Sequence, residues 1–447
     1  MLFIMSSGIM FGRRQMRSVA DYLSASRTAG RYLVSVSEGI AMLGAISIIA
    51  FFEMYFNSGF TLMWWDLTMI FFILVASATG WVVYRFRETR AMTMAQFFEI
   101  RYSKKFRIFT GILAFISGII NFGIFPAVGA RFFIIFCGFP DTFSLLGLTV
   151  STYAFTMIIL LTISLIFVFL GGQISVIIGD FIQGTFVNFV FVALVVYVLF
   201  KFDFTTIYEA LKTAPEGQSM INPFKTSNAS DFNFWFFLIG VIGFFYNSLS
   251  WQGTQAYNCS AESAHEAKMG KVLSIWRQIP QKVFYVIIPV VAYTVLKHPD
   301  FLHISTELNT TLADFGNDKL QSQATVPLVL TKILPVGLIG AFAAVMLGAF
   351  ISTHDTYLHS WGSIFIQDVI LPFRNKRLKP KQHIWLLRAS TVGVAIFIFL
   401  FSLLFRQTEY IAMFMAATGA IFVGGAGSVI IGGLYWKKGT TGGAWAA

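Results

Sequence analysis

The chain has 447 residues, of which 56% are hydrophobic and 12% charged, with 51 Phe and a formal charge of +11. A soluble domain carries roughly 25% charged residues, so this composition excludes an ordinary water-soluble protein and predicts an all-α integral membrane protein. The cysteines, Cys137 and Cys259, fall in different apolar segments and match neither a metal-ligand spacing nor a disulfide framework.

The amino-terminal MLFIMSSGIMFGRR places its apolar residues before its charges and is shorter than the ~20 residues a spanning helix needs. It reads as the end of a leading helix, followed by a cytoplasmic loop up to residue 30. Ten apolar runs follow, at 31–57, 61–84, 107–136, 148–170, 174–200, 232–250, 277–296, 326–357, 385–405 and 410–436. Lipid offers backbone groups no water, so each run is expected to be helical. The closing WKKGTTGGAWAA stops as another apolar run begins, and 437–447 reads as the start of a further, truncated segment.

Basic residues collect in alternate loops: Arg13, Arg14, Arg17, Arg27 and Arg31 before the first span, and Arg85, Arg87, Arg90, Arg101, Lys104, Lys105 and Arg107 between the second and third. Lys268, Lys271, Arg277 and Lys282 surround the start of the seventh; Arg374, Lys376, Arg377, Lys379, Lys381 and Arg388 lie between the eighth and ninth. The intervening loops are mostly acidic, with Asp300, Glu307, Asp314 and Asp318 against Lys297 and Lys319. By the positive-inside rule the basic loops are cytoplasmic in a cell (plasma or inner) membrane. The net charge is then a topology signal and no nucleic-acid partner is expected.

Spans one to five (31–200) and six to ten (232–436), joined by an extracellular loop at 201–231, thus have opposite senses. Inverted five-helix repeats, each opening on a broken helix beside a midplane site, are a secondary-transporter architecture. The first span carries SEGIAMLGAIS, with Gly39, Gly44 and Ser47, and the sixth carries FFYNSLSWQGTQ. Small residues also serve close helix packing, so the residues leave both readings open.

Ionisable groups at membrane depth cost roughly 2.5–3.5 kcal/mol each on insertion scales and mark function. Asp180 lies in the fifth span, Asp355 at the inner end of the eighth, and Glu53 and Arg131 toward the outer ends of the first and third. Within GAFISTHDTYLHS, Ser352, Asp355 and Thr356 share a helix face, and their oxygens suit a hard cation such as sodium. Against this, Ser and Thr hydroxyls also bond back to the preceding turn, and Asp355 suits a solvated helix end. His354 beside Asp355 raises proton coupling as a rival.

TMAQFFEIRYSKKFR resembles the T-x-x-E-F-L-E-x-R-F loop of the sodium/solute symporter family, with Gln96 replacing Glu. GGQISVIIGDFIQG is similar to its GG-x-x-A-V-x-x-T-D-x-x-Q-G signature, with Ser175 for Ala and Gly179 for Thr. GAFAAVMLGAFISTHDTYLHSWGSIFIQD resembles its A-A-x-M-S-T-x-D-S helix, and GAIFVGGAGSVIIGGLYWKKGTTGGAWA its tenth core helix. The family comprises sodium-coupled sugar, proline, pantothenate and sialic acid carriers. The resemblance implies the leucine-transporter-type fold, with ten core helices in two inverted repeats and broken first and sixth helices.

It also implies a sodium site formed by the hydroxyls of Ser352 and Thr353 and the carbonyls of Ala349, Leu43 and Ile46. A second site would use Asp180 with Ser352, Asp355 and Thr356. Ser47, Tyr246, Asn247, Trp251, Asn121 and Arg131 are the solute candidates. Na+ is the one cofactor implied, bound and co-transported, with no organic cofactor; solute, sodium and the lipid bilayer are the partners. The expected function is sodium-coupled import of a small polar organic solute, a sugar, sugar acid or amino-acid-like compound, by alternating access. A proton-coupled symporter of this fold and a non-transporting solute sensor are the alternatives. No nucleophile–base pair, phosphate loop or His/Cys cluster points to an enzyme. FFEMYF after the first break departs from familiar branches, which leaves the solute itself open.

Overall fold

The computed structural model describes residues 18–229, 231–374 and 378–447, without the side chains of 170 and 171. The expected leading-helix end, and Arg13, Arg14, Arg17, Lys376 and Arg377 of the basic loops, lie outside the described residues. Among those described, eight helical stretches are long and apolar enough to cross a membrane. One of them, Ala45–Glu88, carries the second half of the first expected span together with the second, and the sixth span is divided into short pieces.

The first span is α1 (Arg31–Ala41) and α2 (Ala45–Thr79), separated at Met42–Gly44. Gly44 is extended at φ −76°, ψ 161°. A Cβ there would meet Thr353 Oγ1 at 2.7 Å, so glycine lets the break lie directly on the eighth span. Inside α2 the chain reverses at Gly59, whose φ of +53° favours glycine, and this bend divides the first span from the second.

The third span is α3 (Lys104–Phe122) followed by α4 (Phe125–Cys137). An antiparallel hairpin of β1 (Thr142–Leu145) and β2 (Leu148–Ser151) comes next. The fourth span was expected from 148; instead that apolar stretch pairs as a strand, and Ser151 caps α5 (Thr152–Lys201), its hydroxyl accepting from Ala154 N. α5 bends at Gly172, φ +55°, between the fourth and fifth spans.

The sixth span is α6 (Phe234–Tyr246), an irregular segment, and α7 (Gln255–Ser260). Asn233 caps α6 through the backbone N–H groups of Trp235 and Phe236. α8 (Ala264–Lys297) begins earlier than the expected 277 because Ser263 caps it at Glu266 N. After α9 (Leu302–Ala313) and α10 (Asp318–Ile333), α11 (Val336–Ile364) forms the eighth span. The sequence placed its start at 326; Pro335 has no N–H to continue a helix and holds Leu334 extended at ψ 145°, so residues 326–333 belong to α10. α12 (Pro380–Leu404) and α13 (Ile411–Tyr435) complete the bundle.

α11 is the central element. It packs most extensively on α5 and also touches α1, α3 and α12. Every residue from Gly348 to Ile364 is buried, so its polar face turns toward protein and not toward lipid.

Candidate sodium and solute sites

Asp180 on α5 meets the polar face of α11. Ser352 Oγ donates to Asp180 Oδ1 at 2.5 Å, and Tyr257 of α7 donates to Asp180 Oδ2. The Tyr257 hydroxyl also lies 2.7 Å from Thr356 Oγ1, which in turn lies 3.5 Å from Asp355 Oδ1. Asp180, Ser352 and Tyr257 are fully buried, Thr356 and Asp355 nearly so. Asp180, Ser352, Asp355 and Thr356 therefore share one cluster, on helices from both repeats. Among the described residues neither carboxylate has a Lys, Arg or His within ion-pair distance. Two carboxyl groups and three hydroxyls thus gather oxygen donors of the kind hard cations take in one buried cluster.

One residue along, Thr353 faces the break in the first span and donates to Ala41 O at 3.2 Å. Leu43 sits within that break, its N–H donating to Ile40 O at 2.9 Å, while Ile46 lies just inside α2. Ala349 is buried one turn before Thr353 on α11. The hydroxyls of Ser352 and Thr353 thus point in two directions, one to Asp180 and one to the first-helix break. His354 belongs to neither group: its ring stacks on Phe350 at 3.6 Å between centroids, Nδ1 lies 2.8 Å from Phe350 O, and Phe122 and Phe125 surround it.

On the basic-loop side of the two breaks is a cavity of about 310 Å³ lined by Met42, Trp81, Asn247, Trp251, Gln255 and Asn258, among others. At its edge Lys271 pairs with Glu38, and Arg31 with Glu266, fastening α1 to α8. Trp251 Nε1 donates to Tyr357 Oη at 2.9 Å, its ring packing edge-on against Trp361. Asn121 donates to Met415 O at 2.8 Å and to Thr418 Oγ1 at 2.7 Å, while its Oδ1 is buried without a partner. A Cβ added at Gly419 would lie 3.7 Å from the Trp251 ring and 3.9 Å from Asn121 Nδ2, in ordinary contact with both. Ser47 donates to Met42 O at 3.1 Å, closing the break, and Tyr246 donates to Gly424 O at 2.6 Å, fixing α6 to α13.

Arg131 is not brought to this group. It lines a separate cavity of about 190 Å³ with Asp141, Tyr153 and Gln323, near the acidic loops, its guanidinium over the Tyr153 ring. Glu53 is also at that end: its Oε2 accepts from Ile411 N at 3.2 Å and so caps α13, tying it to α2.

Sequence reasoning missed Tyr257 and Tyr357. Tyr257 stands in GTQAYN just past the sixth-span break, and Tyr357 directly follows Thr356; a phenol beside the broken segments and another beside the hydroxyl run were the available signals.

Residues 22–447 match the Sodium:solute symporter family. Among curated proteins the chain is 22% identical over 442 residues to a sodium/glucose cotransporter of Vibrio parahaemolyticus, covering 96% of this chain and 77% of that protein. It is 23% identical over 361 residues to a sodium/pantothenate symporter of Haemophilus influenzae, covering 79% of this chain and 66%, just under two thirds, of that one. Among solved structures, the substrate-bound outward-open state of a Na+-coupled sialic acid symporter superposes with a TM-score of 0.76 at 16% identity, covering 99% of this chain and 87% of that one. That likeness carries the fold, and the family match carries membership. The expected fold and non-enzymatic class are borne out. The chain belongs to the sodium:solute symporter family and is a multi-pass membrane transporter of the leucine-transporter-type fold.

Proposed function

We propose that this protein is a secondary active symporter that imports a small polar organic solute together with sodium by alternating access. The observation that carries this reading is the buried Asp180–Ser352–Tyr257–Thr356–Asp355 cluster, which has no basic counter-charge among the described residues. A monovalent hard cation balances such a site where a neutral ligand does not. A first sodium binds the hydroxyls of Ser352 and Thr353 with the carbonyls of Ala349, Leu43 and Ile46. A second binds Asp180 with Ser352, Asp355 and Thr356.

The solute occupies the cavity beside both breaks, in contact with Trp251 and Asn247, which line it; Asn121, Ser47 and Tyr246 do not line it and act on the solute from behind, Ser47 through Met42 and Tyr246 through the α6–α13 contact. That cavity has the size of small-molecule sites and mixes indole faces with amide groups, a lining suited to a sugar, sugar acid or amino-acid-like solute. Arg131, in its separate cavity, is where an anionic solute first meets the protein from the acidic-loop side. The basic loops face the cytoplasm.

Coupling needs a ligand that binds two states unequally. A cation bridging the first-helix break and α11 does this, because parting those elements removes some of its ligands. Each inward charge also gains ~2.3 kcal/mol per 100 mV of membrane potential.

The test is a thermal-shift screen of sugars, sugar acids and amino acids on the full chain, in sodium and in potassium. A transported solute stabilises the protein in sodium only, by linked binding. Stabilisation that is equal in potassium defeats the sodium assignment.

A further inference from the structure

Toward the basic loops from the carboxylate cluster lies a second, much smaller space, about 30 Å³, walled by Thr93, Gln252, Gln255, His359, Ser360 and Ser363, among others. Four polar atoms on these residues have no hydrogen-bond partner: both amide atoms of Gln255, His359 Nδ1 and Ser363 Oγ. Gln255, His359 and Ser363 are all more than nine-tenths buried. Buried polar groups left unpaired are rare in folded proteins and mark the place of an ordered water or an ion.

The chemistry of the wall suits water. His359 Nε2 lies 2.7 Å from Tyr22 O, which assigns the ring proton to Nε2 and leaves Nδ1 an acceptor. Gln255 offers one donor group and one acceptor, and Ser363 offers both. The volume exceeds the ~10–15 Å³ that one ordered water needs.

Position gives the space its meaning. On one side, Thr356 and Asp355 lie one turn before Ser360 and His359 on α11, and Tyr257, which donates to Asp180, is two residues beyond Gln255. On the other side, Met92 and Thr93 line both this space and a vestibule of about 740 Å³ at the basic end. There Thr93 Oγ1 donates to Asp368 Oδ1 at 2.8 Å, and Arg107 joins Asp368 to Glu99. The solute cavity is separate: among the described residues Gln255 alone lines both.

We propose that this hydrated seam is an exit for the cation, distinct from the route of the solute. Sodium leaves Asp180 and Asp355 past Thr356, is carried by water and the oxygens of Gln255 and Ser363, and reaches the vestibule at Thr93. A bare ion has no path through apolar packing, and oxygen ligands at each step replace its hydration. In the vestibule, water screens the ion from Lys104 and Arg374. Because the two routes are separate, a solute still bound beside Trp251 does not block sodium release. The inference rests on the sodium reading above.

The experiment uses the full chain carrying Cys137→Ser and Cys259→Ala, with Ser363→Cys reporting the seam and, because Ser248 lines the solute cavity, Ser248→Cys reporting that cavity. Each is reacted with a small cationic methanethiosulfonate. Both are expected to react, with rates within about tenfold; a reactive Ser248→Cys beside an inert Ser363→Cys overturns the seam. In parallel, sodium release is followed by tryptophan fluorescence on dilution into potassium. Ser363→Leu, which fills the seam, is expected to slow release about tenfold or more, while Ser248→Leu leaves it unchanged. Release by Ser363→Leu at the wild-type rate, or slowing by Ser248→Leu instead, also overturns it. A wild-type protein with no sodium response defeats the sodium reading itself, while the accessibility of Ser363→Cys still reports whether the seam is hydrated.

Discussion

Asp180→Asn changes stability in opposite directions with and without sodium. The carboxylate is fully buried and held by the hydroxyls of Ser352 and Tyr257, with Asp355 in the same cluster. Without a cation, two carboxyl groups stand in one dry network. Removing the carboxyl at this depth relieves part of the ~2.5–3.5 kcal/mol that insertion scales assign to an aspartate there. The amide is still polar, and its NH₂ meets hydroxyls that now donate to Asp180, so the net gain is about 1–2 kcal/mol. With sodium bound, the same change removes one member of a buried charge pair, which costs about 3–5 kcal/mol. That corresponds to sodium affinity weaker by a factor of about 10² to 10⁴. Thermal unfolding of the purified protein across a sodium titration, at constant ionic strength with potassium, reads both effects. The variant is expected to melt at higher temperature in potassium and to lose most of its sodium-dependent shift. A variant that keeps its sodium midpoint within about threefold, or that is destabilised in potassium, refutes the cluster as a cation site.

Tyr257→Phe removes one hydrogen bond to a carboxylate, worth about 1.5–3 kcal/mol, and is expected to weaken sodium binding about 10- to 100-fold by the same titration while the solute cavity keeps its shape. Ser352→Ala, whose hydroxyl serves both proposed ion sites, is expected to raise the sodium concentration for half-maximal solute uptake in proteoliposomes; unchanged sodium dependence removes Ser352 from the ligand set. Gly44→Ala forces a Cβ to within 2.7 Å of Thr353 Oγ1; overpacking of this kind costs about 1–3 kcal/mol, so both the melting temperature and the sodium response should fall, and wild-type values for both would place the break elsewhere. Glu53→Ala removes the cap on α13 at Ile411 N; a loss of about 1–2 kcal/mol in thermal stability is expected, with sodium affinity unaltered.

Much of the architecture was legible in the sequence because membrane helices are set by local rules. A run of ~20 apolar residues must be a helix in lipid, so the spans were readable. The two breaks were only partly legible: Gly44 and NSLSWQGT interrupt their own runs, but small residues serve close helix packing equally well, and the family resemblance tipped the reading. Helix starts were less so: residues 326–333 are as apolar as the span they precede, and what separates them is the backbone of Leu334 and Pro335. The strand at Leu148–Ser151 escaped for a related reason, because an apolar stretch is compatible with either period until its pairing partner, Thr142–Leu145, is in place.

For the site, the sequence by itself determined the residue types: hydroxyls and carboxylates on apolar helices, pointing to a hard cation. Only the tertiary structure decided which of them meet. Ser352 and Thr353 are neighbours in sequence, yet successive residues on a helix point about 100° apart, so one hydroxyl reaches Asp180, 172 positions away, and the other the first-helix break. The same rotation turns His354 away from Asp355 and into a ring of phenylalanines, and Arg131 is apart because α4 carries it to the far end of the bundle. Helical period and hydropathy are properties of a segment, whereas a site assembled from α5, α7 and α11 depends on how those segments pack, which no single segment encodes.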